Sequence, residues 1–292
     1  MRITDSMMLG TALLDESRNA QSLATLSQES ASGNLISQPS DDPAGFGTLV
    51  SLDARLTVLQ GRGVAATTAS QNLDLASNAL SSASDILDQA KQIALEGASG
   101  SDDAQSRAEA ATEVNGLVAQ MISLANTEGP SGYIFGGTLT SAPPFDAAGN
   151  YSGNSGVTRV AVADGVLVDS NASGADAFTV AGGSNVIADM QALATALSGN
   201  DVAGINASIG QMDADQQQVT AVMVQAGANS STLQASTTLI ASLTTATETA
   251  RSTVDNAQTP TVYSELAATE TAYQASLSVT QQILSLSAFT GG

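Results

Sequence analysis

The chain has 292 residues, with 28 Asp and Glu against 8 Lys and Arg, a formal net charge of −20, and no Cys, His or Trp. Without thiol or imidazole there is no disulfide framework, no zinc centre built on Cys or His, no Ser-His-Asp or Cys-His triad and no imidazole proton shuttle. Eight dispersed basic residues, of which Lys91 is the only lysine, also exclude a nucleic-acid partner, since binding a phosphate backbone requires clustered cations that release counterions.

Apolar residues make up 42% of the chain, but much of that is Ala, and aromatics reach only 3%. Ala buries little area, so its use on a periodic face favours thin contacts between helices over a thick globular interior. The expected fold is mainly α: an elongated antiparallel coiled coil or helical bundle with long heptad helices and a small inserted β domain.

In chain order, residues 1–38 are helix-prone and amphipathic, offering Ile3, Met7, Leu9, Leu13, Leu14, Leu23 and Leu26. Asp5, Asp15, Glu16 and Arg18 interrupt the first twenty residues before an apolar signal core could form, so no cleaved signal peptide is expected. No uncharged apolar stretch of about 18 residues follows anywhere, so no membrane partner is expected.

Gln38-Pro39-Ser40-Asp41-Asp42-Pro43-Ala44-Gly45 is the most distinctive short segment. Two carboxylates beside a Ser suggest a metal or acid/base site, yet the calcium-loop spacing is absent. A turn and helix cap explains it better: Asp42 can accept N–H groups of the first turn, and Pro43 supplies a fixed φ at the first helical position. Pro39, Ser40, Asp41, Asp42 and Pro43 are therefore read as a chain reversal that starts a long helix.

That helix carries a seven-residue repeat, with Leu52, Leu59, Ala66, Leu73, Leu80, Leu87 and Ala94 in one phase and Ala69, Ala76, Ala83 and Ala90 three residues further on. Such a repeat marks helices winding around one another, with Ala permitting close approach. If Pro43 to Leu95 is one helix, it is roughly 80 Å long. Lys91 lies a turn from Asp88 and Asp85, a spacing typical of solvated surface neighbours. Gly97 and Gly100 separate this helix from a shorter one expected over about 102–127, where Asp102 and Asp103 favour the N-terminus and Val114, Leu117, Met121 and Leu124 share a face. The two read as an antiparallel helical hairpin.

Between about 129 and 185, Gly, Pro and Asn become dense. Short β-prone runs appear at Val157-Thr158-Arg159-Val160-Ala161-Val162, Gly165-Val166-Leu167-Val168 and Ala177-Phe178-Thr179-Val180. Within this insertion, Gly132-Tyr133-Ile134-Phe135-Gly136-Gly137-Thr138 and Pro143-Pro144-Phe145 lack the lysine and strand context of a phosphate loop and read as a turn packing aromatics against helix ends.

Helical pattern resumes near Ile187, halts at Ser198-Gly199-Asn200 and restarts into a long helix. There Val219, Ala226, Leu233, Ile240, Thr247 and Val254 share a phase, and Val222, Leu243, Ala250 and Ala257 share the next, interrupted by Asn229 and Ser236. Polar seam residues of this kind fix register. Residues 258–292 end the chain as another amphipathic helix, with Val262, Leu266, Tyr273, Leu277, Ile283, Leu284, Leu286 and Phe289.

The expected organisation is thus a terminal pair, 1–38 with 258–292, a central bundle of 39–128 plus 186–257, and a β-rich insertion at 129–185. The two terminal helices lack partners within their own ends, so they pair with each other or become ordered when copies assemble. A different class of function stays open beside assembly: a calcium-binding adhesin, suggested by the charge of −20 and by Asp164, Asp169 and Asp176.

Met1-Arg2-Ile3-Thr4 with Met7, Pro39-Ser40-Asp41-Asp42-Pro43, Tyr133-Ile134-Phe135-Gly136-Gly137 leading to Pro143-Pro144-Phe145, and Tyr273-Gln274-Ala275-Ser276-Leu277 together resemble the flagellin superfamily. Within it, the chain is similar to the third hook-associated proteins of the hook–filament junction. Flagellins proper usually carry Ala-rich residues where this chain has Pro39 and Pro43, and a filament flagellin is the nearest alternative. The resemblance implies a structural protein without enzyme activity or cofactor, exported through the flagellar type III channel with an export chaperone and located outside the cell on the flagellum. It implies a ring of copies between the hook-side junction protein and flagellin, joined by coiled-coil terminal helices. The residues expected at that assembly interface are Ile3, Met7, Leu13, Leu23, Leu266, Tyr273, Leu277 and Leu284.

Overall fold

The computed structural model of the chain describes residues 5–99, 103–179, 185–256 and 259–290. Helices α1 (Asp5–Ser32), α2 (Pro43–Gly97) and α3 (Ala104–Ala125) come first, then the two-residue strands β1 (Glu128–Gly129) and β2 (Gly132–Tyr133). The hairpin of β3 (Arg159–Ala163) and β4 (Val166–Asp169) follows, then α4 (Gly174–Phe178), α5 (Val186–Ser198), α6 (Val202–Asp255) and α7 (Thr259–Thr290). The fold is mainly α with a small β insert. Two compact units divide it: Met1–Thr57 with Thr245–Gly292, and Val58–Thr244.

The Val58–Thr244 unit holds the main core. Along α2, Leu59, Ala66, Leu73, Leu80, Leu87 and Ala94 are buried, as are Ala69, Ala76, Ala83 and Ala90. On α6, Ile205, Met212, Val219, Ala226, Leu233 and Ile240 repeat the same seven-residue step and are buried too. Ser70 meets Ser230 at 3.2 Å, Gln216 donates to Ser84 at 3.2 Å, and Lys91 contacts Asp213. Because these contacts climb α2 as they descend α6, the two helices run antiparallel here.

The polar layer in this seam differs from the one the repeat suggests. Asn229 and Ser236 are only half-buried, while Ser230, one position off the phase, is fully buried and donates to Asp74 at 2.6 Å. Gln234 completes the layer by donating to Ser230 at 3.2 Å. Midway along α2 between Ser70 and Ser84, Ser77 has a buried hydroxyl with no hydrogen-bond partner among the described residues. Lys91 likewise departs from expectation: it is paired across the helices with Asp213 rather than left solvated beside Asp85 and Asp88.

Helix ends are set by short side-chain contacts. Asp103 caps α3 by accepting the Ser106 N–H at 2.8 Å, and Asn185 caps α5 by accepting the Ala188 N–H at 3.1 Å. Asp102, also expected at this helix start, and Gly100 lie outside the described residues. Arg107, buried within α3, donates to the carbonyls of Gly97 at 2.6 Å and Ser99 at 2.9 Å and to the Asn200 side chain at 2.6 Å. One guanidinium thereby supplies donors to the C-terminal end of α2 and to the turn between α5 and α6, where Asn200 has a φ of 53°.

In the insertion, β3 pairs antiparallel with β4 through Arg159↔Asp169, Val160↔Val168 and Ala161↔Leu167. Of the β-prone run at 177–180, Ala177 and Phe178 are helical and Thr179 forms an isolated bridge with Asn185. Residues 174–178 form α4, started by Ser173, whose hydroxyl accepts the Asp176 N–H at 3.1 Å; Val180 lies outside the described residues. Phe178 needs this turn to reach Phe135 and Phe145 edge-on, at centroid distances of 5.3 and 5.5 Å. Tyr151 joins them, donating to the Phe135 carbonyl at 3.0 Å. Tyr133, expected in this cluster, is half-buried and makes no ring contact among the described residues.

Leu80 is fully buried in the seam. Leu80→Ala is therefore expected to lower the unfolding free energy by about 2 to 5 kcal/mol, since Ala-sized neighbours cannot close the cavity. Chemical denaturation of the isolated protein measures it, and an unchanged value would show that the seam does not carry the core.

Candidate assembly surface

In the Met1–Thr57 and Thr245–Gly292 unit, α1 packs against α7. Met7, Leu13 and Leu284 are exposed, at 63%, 51% and 48%. Leu23, Leu266, Tyr273 and Leu277 are half-buried, and Ile3 lies outside the described residues. The expected interface residues thus fall into two sets, one facing solvent and one partly covered by the helix pair itself. Met8 and Leu14 on α1 and Tyr263 and Val279 on α7 are further large apolar side chains left exposed. A polar groove between the helices is lined by Arg18, Ser22, Leu26, Glu265 and Thr269, among others.

The segment 34–45 anchors this unit. Asp41 accepts the N–H groups of Ser37 and Gln38, each at 3.0 Å, and donates its own N–H to the Gln38 carbonyl. These bonds, the Ser37 N–H foremost, hold the Asp41 carboxyl below its ordinary range. Asp42 accepts the Ala44 N–H on its side chain at 3.0 Å and the Phe46 N–H on its carbonyl at 2.8 Å, and Pro43 is the first residue of α2. Pro39 and Ser40 complete the turn on its exposed side. Gly45 sits so close to Ile36 and the Asp42 carboxylate that a β-carbon there would overlap both. Its absence lets the buried Ile36 side chain tuck against the start of α2.

Asp255, at the last position of α6, closes the anchor. Its carbonyl accepts the Leu35 N–H at 2.7 Å and its buried carboxylate accepts the Ile36 N–H at 3.1 Å. Arg251 lies 3.6 Å from that carboxylate and 2.7 Å from Asp53 on α2. Sequence reasoning missed Asp255; the one available signal was its spacing of four residues from Arg251. Asp255→Ala strands the Ile36 N–H, and a loss of about 1 to 3 kcal/mol is expected in the stability of the terminal unit. Hydrogen exchange at Leu35 and Ile36 measures it, and unchanged protection would mean the carboxylate is dispensable.

Two of the three carboxylates that suggested calcium are engaged in ion pairs, and Asp176 lies in the first turn of α4. Asp164 pairs with Arg62 and Asp169 with Arg159. Among the described residues no group of three or more His, Cys, Asp or Glu is placed to hold a metal ion. The cavity between α2 and the insertion, about 450 Å³, is lined by uncharged side chains including Asn72, Tyr133, Thr138, Thr158 and Asn171. Its lining offers no acid/base pair. No helix among the described residues is long and apolar enough to cross a membrane.

Residues 3–140 match the family model of the bacterial flagellin N-terminal helical region. Over that segment the chain resembles bacterial flagellins. Flagellar hook-associated protein 3 of Salmonella typhimurium is 30% identical over 162 residues, covering 54% of this chain and 51% of that protein. The protein of the same name from Escherichia coli is 28% identical over 52% of this chain and 49% of its own length. The chain therefore spans about half the length of the curated relatives it matches. A putative flagellar hook-associated protein from Vibrio parahaemolyticus superposes with a TM-score of 0.66 at 25% identity, over 73% of this chain and 99% of that one. The Xanthomonas campestris FlgL structure, at 17% identity and a TM-score of 0.62 over 69% and 99% of the two chains, shares the fold. The sequence resemblance and the mainly α fold with a small β insert agree with these matches.

Proposed function

We propose that this chain is a structural component of the bacterial flagellum that builds the hook–filament junction, as a ring of copies between a hook-side junction protein and the flagellin filament. The observation that carries the reading is the α1–α7 pair, which leaves Met7, Leu13, Leu14 and Leu284 exposed in a chain similar to proteins named hook-associated protein 3. Isolated apolar side chains are ordinary on a protein surface, but several on one helix pair form a seam that neighbouring subunits can complete. The chemistry is contact alone, and no catalytic step or cofactor is part of it.

On this reading the terminal segments 1–38 and 258–292 join subunits. Residues 39–128 and 186–257 form the central helical bundle, and 129–185 is the β-rich insertion. The chain leaves the cell through the flagellar export channel, uncleaved and escorted by an export chaperone. Exposed apolar side chains on the tails give a chaperone something to cover before assembly.

Leu13, half exposed on the free chain, is the cleanest probe; Leu277 is partly covered by the helix pair, so its replacement also perturbs the isolated protein. Leu13→Asp is expected to change the melting temperature of the purified protein by no more than about 2 °C, as for an ordinary surface substitution, while abolishing motility when it replaces the native chain. Deletion in a motile host is expected to give hooks without filaments and flagellin in the medium. Wild-type motility in the Leu13→Asp strain would overturn the assembly role of α1. Long filaments grown from the purified chain on seeding would assign it instead to the filament.

A further inference from the structure

The cavity of about 450 Å³ between α2 and the insertion lies wholly within the Val58–Thr244 unit, so what it holds is independent of the role of the terminal helices. Its walls are fixed mainly through the backbone. The Tyr133 N–H donates to the Thr140 carbonyl at 2.9 Å, and the Thr158 N–H donates to the Asn171 side chain at 2.9 Å. The Asn171 amide in turn donates to the carbonyls of Gly137 at 3.3 Å and Gly156 at 2.9 Å. At Gly132, with a φ of 98°, a β-carbon would overlap the Thr140 carbonyl, so glycine is what lets β2 lie this close to Thr140.

The side chains that line the space are left uncommitted by these bonds. Thr68, Tyr133 and Thr140 are half-buried and Thr158 is exposed, and none of their hydroxyls makes a hydrogen bond among the described residues. Thr67, one position earlier on α2, donates to the Gly63 carbonyl at 2.9 Å in the manner usual for a helical threonine, which Thr68 does not. Asn72 donates to the Ser131 hydroxyl at 3.2 Å and keeps a buried Oδ1 with no hydrogen-bond partner among the described residues. The Tyr133 ring makes no contact with another ring.

This lining selects a ligand class by its chemistry. No Asp, Glu, Lys or Arg lines the cavity, so a phosphate, a carboxylate or a metal ion would give up hydration without meeting a counter-charge. A purely apolar molecule would bury the free hydroxyls without partners. A compact ring bearing several uncharged hydroxyls meets both constraints, because threonine and tyrosine hydroxyls each donate and accept, and an aromatic ring offers a flat face to the C–H side of a pyranose. The volume falls within the roughly 300 to 1,000 Å³ of small-molecule sites. We propose that this cavity binds a neutral saccharide, with the Tyr133 ring against one face of the sugar and Thr68, Asn72, Thr140 and Thr158 hydrogen-bonded to its hydroxyls.

Saturation-transfer-difference NMR on the full chain, with glucose, galactose, mannose, N-acetylglucosamine and maltose as probes, tests it. Transfer to the ring protons of at least one of them is expected, with a dissociation constant of about 1 mM or tighter, and none to glucose 6-phosphate or glucuronic acid. Thr68→Val combined with Thr158→Val removes two hydroxyls that the protein itself does not use, so the melting temperature is expected to stay unchanged while binding weakens about tenfold or more. Tyr133→Leu is expected to weaken binding by a similar factor through loss of the flat ring. Absence of transfer to all five neutral sugars, equal transfer to the charged ones, or affinity unchanged in both variants would overturn the proposal.

Discussion

The close approach of helices through alanine is the constraint on which the Val58–Thr244 unit depends. Ala66, Ala69, Ala76, Ala83, Ala90 and Ala94 are fully or nearly fully buried, with Leu73, Leu80 and Leu87 between them. An Ala face lets backbones approach, but each contact removes little area from water. Stability therefore accumulates along a repeat rather than in one thick centre. Polar ties then determine what such a seam leaves open. Ser230 with Asp74 and Gln234, Gln216 with Ser84, and Lys91 with Asp213 are side-chain pairs that a repetitive apolar face cannot specify.

The terminal unit rests on different physics. Its buried apolar side chains include Ile36, Leu49 and Val262, and its firmest joint is polar: the Asp255 carbonyl and carboxylate on the N–H groups of Leu35 and Ile36, with Arg251 beside them. A carboxylate that accepts backbone N–H groups costs little to bury because its charge remains solvated by dipoles. The same unit leaves Met7, Leu13, Leu14, Val279 and Leu284 at the surface. A helix pair with a polar anchor at its base and apolar side chains along its length suits a role completed by other molecules.

Much of the fold was legible in the sequence because it is encoded locally. The seven-residue repeat named most of the buried positions of α2 from Leu59 to Ala94, though Leu52 is half-buried and Ala79 and Ile86 are buried outside its two phases, and Pro43 after Asp42 marked where that helix starts. Ser198-Gly199-Asn200 marked the break before α6. The candidate site was less legible. The exposed set of Met7, Leu13 and Leu284 and the half-covered set of Leu23, Leu266, Tyr273 and Leu277 have the same spacing signal, because amphipathicity identifies an apolar face without saying how much of it a partner covers.

What the sequence by itself determined is periodic or short-range: the helices, their caps, the turn at 37–43, and the absence of thiol and imidazole chemistry. The tertiary structure alone decided that Ser230 rather than Asn229 or Ser236 carries the polar layer, and that Lys91 belongs to Asp213. It alone placed Phe178 in a helical turn against Phe135, gave Arg107 the carbonyls of Gly97 and Ser99, and put Asp255 beneath Ile36. Helical propensity and capping act over a few residues and leave a pattern in the order of the chain. Pairing across elements depends on the rotation and separation of two packed surfaces, to which no local spacing corresponds.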